Sequence, residues 1–241
     1  MKRCIDCCAA FMGLIIMSPV LLLFMLFVWL QDFHSPFYIA QRVGQRGKPF
    51  NMVKLRSMVI GADKSGVDST SSEDKRITVI GRMIRRYKLD EFTQLWNVFL
   101  GDMSLVGPRP NVQRDVILYT EEEKKLLYIR PGITDFSSIV FSDEGDILAG
   151  ADDPDLRYNQ LIRPWKSRLG IFYVENSSVL LDIQLILLTI LAIFSRRKAL
   201  LGVTILLRKL KADALLVQVA AREQDLVPFP PPGAESIVTS R

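Results

Sequence analysis

Residues 9–30 read AAFMGLIIMSPVLLLFMLFVWL, a run without a single charge, and its reading decides the architecture. At 1.5 Å per residue it reaches about 33 Å, just enough to cross a hydrocarbon core of about 30 Å. A signal peptide fits poorly, because FMLFVWLQDF places bulky residues where a small-residue cleavage site belongs. A spanning helix and a re-entrant hairpin remain. Ser18-Pro19 lies at the centre, where a proline deletes one backbone hydrogen bond and bends the axis. Lys2 and Arg3 precede the run, while Arg42, Arg46 and Lys48 follow it. Basic flanks prefer the cytoplasm, so both ends belong on one side. These features favour a hairpin that turns back at Ser18 and Pro19, with an ordinary kinked spanning helix as the alternative.

The 241 residues suffice for one domain with appendages and a real core. A formal charge of +5 and a pI near 9.1 suit an anionic partner: a lipid headgroup, a nucleotide or a nucleic acid. Aromatic residues are not interleaved with the basic ones, which argues against nucleic acid. Cys4, Cys7 and Cys8 crowd one end and are odd in number, so no disulfide framework follows. His34 is the single histidine, and no second ligand cluster accompanies the Cys-x-x-Cys. These thiols read as reduced and structurally idle.

Beyond the apolar run, residues 36–59 carry two strand-like stretches around a glycine-containing turn at 44–47, a small β-hairpin. In the second stretch Lys54 and Arg56 leave on one face together. Residues 61–75, polar and rich in Gly and Ser, read as an exposed loop. Helical spacing returns with Ile77, Ile80, Ile84 and Tyr87, and Arg82, Arg85 and Arg86 occupy the other side. An Arg cluster running toward carboxylates can neutralise them or bind phosphate.

Those carboxylates are Asp90 and Glu91 in LDEFTQLWNVFLGDMSLVGPRP, residues 89–110. Asp90 stands where a helix cap belongs, and Glu91 in a first turn that favours acid. An ionised, held carboxylate at the same place can also serve as nucleophile or as ligand to a hard cation. Pro108 and Pro110 stiffen the backbone on both sides of Arg109, whose guanidinium fork suits phosphate. Arg130-Pro131-Gly132 repeats the device, with a plain turn as the other reading. The acidic loop SDEGDILAGADDPD at 142–155 lacks the ordered ligand positions of a calcium site. VLLDIQLILLTILAIF at 179–194 is too short to span comfortably, and with the basic, amphipathic stretch behind it fits a membrane surface. A buried core helix followed by a solvated one is the competing reading. From Pro228 the Pro-rich tail reads as disordered.

Several of these pieces together resemble the bacterial sugar transferase family, the monotopic polyprenyl-phosphate phosphoglycosyl transferases. They are Ser18-Pro19, KPFNMVKLRSM (48–58), RITVIGRMIRRYKLDEFTQLWNVFLGDMSLVGPRP (76–110), YIRPGIT (128–134) and YVENSSVLLDIQLILLTI (173–190). They keep the family's order and cover roughly residues 1–200. The resemblance implies an α+β, predominantly helical enzyme of the bacterial inner membrane, with its catalytic domain on the cytoplasmic face. It would comprise a re-entrant helix-break-helix over 1–35 and a catalytic domain over 36–200 with an interfacial helix near 179–194; residues 201–241, an amphipathic extension with the Pro-rich tail, reach past the resemblance. It further implies transfer of sugar-1-phosphate from a UDP-sugar to undecaprenyl phosphate, with Mg²⁺ and release of UMP. Asp90 would be the nucleophile, forming a phospho-sugar enzyme, and Glu91 would help to hold Mg²⁺ or manage the acceptor phosphate. Arg85 falls where the family uses a cation, Arg109 would contact phosphate or nucleotide, and Lys54 and Arg56 should face the same site. Phe92-Thr93 replaces the Leu-Pro common after the dyad, which alters first-turn rigidity. A membrane phosphodiesterase and a non-catalytic scaffold are the rival functions, and two interfacial helices leave a homodimer open.

Overall fold

The computed structural model of the chain describes residues 1–65 and 69–239. It is mostly helical with two small two-stranded sheets, and it is laid along one long apolar helix, α1 (Lys2–Asp32). Among the described residues α1 is the one helix long and apolar enough to cross a membrane.

The break expected at Ser18-Pro19 is not there: α1 is one helix with Pro19 inside it. A proline at 19 cannot donate to the carbonyl of Ile15, and the Ser18 hydroxyl donates to that same carbonyl at 2.8 Å. The serine thus satisfies the group that its neighbour orphans. Both ends of α1 are tied to the domain beneath. At the start, Lys2 bonds Asp182 Oδ2 at 2.6 Å and the Val106 carbonyl at 3.1 Å, while Asp6 accepts from the Ser104 hydroxyl at 2.8 Å. Arg3 reaches the carbonyls of Val98 and Phe99. At the far end Asp32 accepts from Arg56 Nη2 at 2.7 Å.

The hairpin is where the sequence puts it. Strands β1 (Phe37–Val43) and β2 (Pro49–Leu55) pair antiparallel around a turn closed by Gly44 N–H to the Lys48 carbonyl at 2.8 Å. The loop expected over 61–75 falls in part on 66–68, outside the described residues. Helix α2 (Val79–Arg86) is capped by Thr78 and buries Ile84, but Tyr87 lies past its end and is exposed. Two short helices follow, α3 (Leu89–Phe92) and α4 (Leu95–Leu100). The cap of α3 is not Asp90 but Lys88, in the left-handed region at φ 52°, so Asp90 and Glu91 sit inside its first turn.

Strand β3 (Ser104–Val106) leads into Pro-Arg-Pro, and after α5 (Gln113–Ile117) it pairs in parallel with β4 (Gly132–Thr134). Gly107 and Gly132 let these backbones touch: a Cβ on Gly132 would lie 2.0 Å from the Gly107 nitrogen. Helices α6 (Phe136–Val140), α7 (Glu144–Ile147) and α8 (Pro154–Arg157) come next, then a π-helix over Tyr158–Ile162 and α9 (Arg163–Asn176). The main core packs α6 and α9 against α10 (Val179–Phe194), α11 (Arg196–Lys209) and α12 (Ala214–Ala221).

Helix α10 buries Leu181 and Leu185, yet it exposes Leu180, Ile183, Leu187 and Ile190. Helix α11 sends Ala199, Val203 and Leu207 into the core and keeps Arg197, Lys198, Arg208 and Lys209 outside. It is a core helix whose exposed face carries those cations together with Leu201 and Ile205. The tail is ordered against α9, contrary to its composition: Phe229 packs on Trp165 at 4.5 Å, and Pro231 and Pro232 are buried.

The Gly107–Gly132 contact gives a direct test. Gly132→Ala forces the β3 and β4 backbones apart and should cost at least ~2 kcal/mol; a thermal midpoint equal to wild type would show that the crossing can relax.

Candidate active site

Helix α3 carries the dyad and is fixed from three sides. Leu89 is buried with Val28 of α1, Leu55 of β2 and Ile84 of α2. The Thr93 hydroxyl lies 3.1 Å from the Val53 carbonyl and 2.9 Å from the carbonyl of Asp90. Asn97, one turn on, accepts from Val53 N–H at 2.9 Å and donates to the Asn51 carbonyl at 2.7 Å. Side chains of the TQLWN segment therefore complete the free edge of β2 and hold the strand beside the dyad. A proline at 93 would lack the hydroxyl that makes this clasp.

Lys54 leaves β2 toward Asp90, its Nζ 3.9 Å from Oδ2. Arg109 comes from the Pro-Arg-Pro loop and donates to Glu91 Oε1 at 3.3 Å. Burial raises the Asp90 carboxyl above the ordinary aspartate range; Lys54 opposes this and the neighbouring Glu91 charge adds to it. Burial acts on Glu91 in the same sense, but Arg109, Lys88 and Lys54 outweigh it and hold Glu91 below its usual range. Burial, with Arg109 nearby, brings Lys54 down to about 8. Two adjacent acids are thus pushed apart in affinity for a proton, an arrangement typical of chemically active pairs.

The other predicted residues divide. Arg85 donates from Nε to the Ser57 hydroxyl at 3.1 Å and acts on Asp90 through its charge. Arg56 is nearly buried and spent on α1, bonding Asp32 and the carbonyls of Ser35 and Val28. It does not line the pocket with Lys54, because Asp32 and those carbonyls hold its guanidinium at the end of α1. Arg130 is exposed and outside the pocket lining, with its carbonyl against Gly107.

Beside the dyad, and joined to it through Lys54 and Arg109, lies an open pocket. Its lining adds residues that sequence reading missed: Arg42, Glu144, Tyr158 and Lys166. Arg42 could have been found from the register. The pairs Tyr38↔Lys54 and Arg42↔Phe50 place it on the same hairpin face as Lys54. Burial and the Arg109 charge both press its guanidinium to lose a proton. Glu144, in the acidic loop rejected as a calcium site, pairs with Lys166. Nothing local in the sequence signals that pair. Among the described residues no group of three or more His, Cys, Asp or Glu side chains is placed to hold a metal ion.

A partly buried acid pair faced by Lys54 and Arg109, beside a pocket that Arg42 also lines, is an arrangement of charge suited to an anionic ligand. The chain belongs to the family described as bacterial sugar transferase, whose profile matches residues 1–196. It is 46% identical over 109 residues, 45% of its length, to a putative undecaprenyl-phosphate N-acetylgalactosaminyl 1-phosphate transferase of Bacillus subtilis, covering 61% of that protein. It is 29% identical over 80% of its length to the UDP-N-acetylgalactosamine-undecaprenyl-phosphate N-acetylgalactosaminephosphotransferase of Aeromonas hydrophila, covering 44% of it. It is 31% identical over 80% of its length to the exopolysaccharide production protein ExoY of Sinorhizobium fredii, covering 84% of it. The chain thus spans less than two thirds of the length of the first two relatives.

Lys54 should acylate half-maximally near pH 8 in a lysine-selective labelling titration read by mass spectrometry. Asp90→Asn removes a charge that supports the ammonium, so the same midpoint should move lower; a midpoint near that of an ordinary lysine in the unaltered protein would refute the burial.

Proposed function

We propose that this chain is a phosphoglycosyl transferase that moves sugar-1-phosphate from a UDP-sugar to undecaprenyl phosphate at the cytoplasmic face of the bacterial inner membrane. The observation that carries the reading is the dyad: Asp90, its side chain still 16% exposed, stands between Glu91 and Lys54 beside a pocket lined by Lys54, Arg42 and Arg109. The names of the relatives agree with it.

In this reading an Asp90 carboxylate oxygen attacks the sugar-bearing phosphorus of the donor. The bond from that phosphorus to the bridging oxygen breaks, and UMP leaves with the electron pair. An oxygen of undecaprenyl phosphate then attacks the same phosphorus, freeing Asp90 and giving undecaprenyl-diphosphate-sugar. Lys54, Arg42 and Arg109 supply fixed positive charge along the diphosphate, which would otherwise repel an incoming carboxylate. Arg109 also keeps Glu91 ionised, and Arg85 adds a more distant charge.

Mg²⁺ suits the donor set, since it is commonly held by one or two carboxylates together with substrate phosphates rather than by an all-protein cage. Asp90 and Glu91 would hold it, and when bound it would neutralise charge on the diphosphate.

A monotopic placement is supported by α1 itself. Its two ends are pinned to one domain, Lys2 to Asp182 and Asp32 to Arg56, whereas a spanning segment would carry one end away. The apolar stripe exposed on α10 suits the same surface.

Detergent-solubilised protein with Mg²⁺ and undecaprenyl phosphate should release UMP from one of a panel of UDP-sugars and form the lipid-linked product. Asp90→Asn should lower the rate by at least about 10³-fold. Retained activity in Asp90→Asn would return the pair to a structural role, and free sugar phosphate as product would mark a phosphodiesterase. Because Asp90 must be ionised to attack, kcat/KM should fall with acid at a pH above the ordinary aspartate range, and a limb at or below that range would contradict its burial. In intact cells Cys4 and Cys8 should resist a membrane-impermeant maleimide and react only after permeabilisation. Labelling of intact cells would instead establish a spanning helix.

A further inference from the structure

The residues after 196 lie outside the family match, yet they reach back to two walls of the pocket. Arg222, at the end of α12, donates from Nη2 to Asp143 Oδ2 at 3.0 Å, and Arg196 meets the other oxygen of that carboxylate at 2.9 Å. Asp143 directly precedes Glu144, the pocket carboxylate paired with Lys166. The Arg222 side chain is 11% exposed, and it lies 5.5 Å over the Phe141 ring. Its Nε and Nη1 are buried with no hydrogen-bond partner among the described residues. Such a guanidinium costs stability. What it holds accounts for it better than what it stabilises.

The second contact belongs to the tail. Phe229 N–H donates to the Gln160 carbonyl at 3.0 Å, and Gln160 Nε2 donates to the Val238 carbonyl at 2.9 Å. Arg168 bonds the Pro230 carbonyl at 2.9 Å and lies 4.8 Å over the Phe229 ring. Gln160 is part of the π-helix, whose Tyr158 and Asn159 line the pocket. A π-turn is a poor helix on its own and concentrates at functional sites, so its support matters.

We propose that the segment after residue 196 is a positioning element of the donor pocket. It fixes the π-helix and the Asp143–Glu144 turn, so that Tyr158, Asn159 and Glu144 form the wall that contacts the donor beyond its diphosphate. This deepens the transferase reading and rests on it. A phenol, a carboxamide and a carboxylate together suit the hydroxyl groups of the donor's ribose ring, and the cations Lys54, Arg42 and Arg109 are left to the phosphates. Arg222 and Phe229 act through Asp143 and Gln160.

The test uses the full chain and whichever UDP-sugar the unaltered protein accepts, comparing Arg222→Ala, Arg222→Lys and Phe229→Ala. Donor KM should rise by about five- to tenfold in the alanine variants, with kcat and acceptor KM within about twofold, and Arg222→Lys should restore donor KM. Unchanged donor KM in both alanine variants overturns the proposal. So does a parallel loss of kcat and of both KM values, with a lowered thermal midpoint and no rescue by lysine, since that marks a merely structural role. Where Arg222→Ala does not fold, Phe229→Leu carries the same comparison. Absence of turnover with every donor is a failure of the transferase reading, seen before any variant is compared. UDP binding by calorimetry then decides the wall: weaker binding in Arg222→Ala upholds it, and equal binding overturns it.

Discussion

Two carboxylates on consecutive residues repel each other, and withdrawing both from water enlarges that cost unless cations arrive from elsewhere in the chain. Much of the architecture follows from bringing those cations in. Lys54 and Arg42 come on one face of a hairpin, Arg109 comes in a loop stiffened by two prolines, and Arg85 comes at the end of α2. Each element needs its own anchor. Asn97 and Thr93 clasp the edge of β2, and the parallel pairing of β3 with β4 sets the base of the Arg109 loop. The Val106 carbonyl is held by both Lys2 and the Tyr173 hydroxyl, so the loop is referenced to the apolar helix as well as to the core. Charge balance at the dyad and docking of α1 are therefore parts of one structure.

The sequence displayed whatever was local. The hairpin at 36–59, the α2 stripe as far as Ile84, the dyad and Pro-Arg-Pro were legible, because turn glycines, helical spacing and paired prolines act within a few residues. Strand alternation accounts for the approach of Lys54 to Asp90 at 3.9 Å, but it does not carry past Leu55 to Arg56, whose guanidinium Asp32 captures. The cap was misplaced because Asp at a helix start is a strong statistical signal, while the left-handed turn at Lys88 leaves none. Arg42, Glu144 and Lys166 required the tertiary fold, as their partners lie tens of residues away or across a strand pair.

The C-terminal region shows the opposite error, composition read too literally. A run of prolines lacks donors and periodicity, and both suggest disorder. Here the carbonyls of Pro230 and Pro232 accept from Arg168 and Thr120, and the ring of Phe229 lies against both Trp165 and Arg168. Proline loses little conformational entropy on ordering, so a few such contacts suffice. In α10 hydrophobicity alone could not separate core from surface, because both of its sides are apolar and only one is covered.

The Lys2–Asp182 bond also sets a clock on biosynthesis. Its partners are separated by 180 residues, so the start of α1 leaves the ribosome long before the carboxylate that receives it. At usual elongation rates the gap is roughly 10–40 s. Throughout that interval the apolar helix must be sheltered by lipid or by a chaperone, with Lys2 still hydrated. The last strong tie between helix and domain closes only when α10 has been made, so the helix exists well before the domain can hold its first turn.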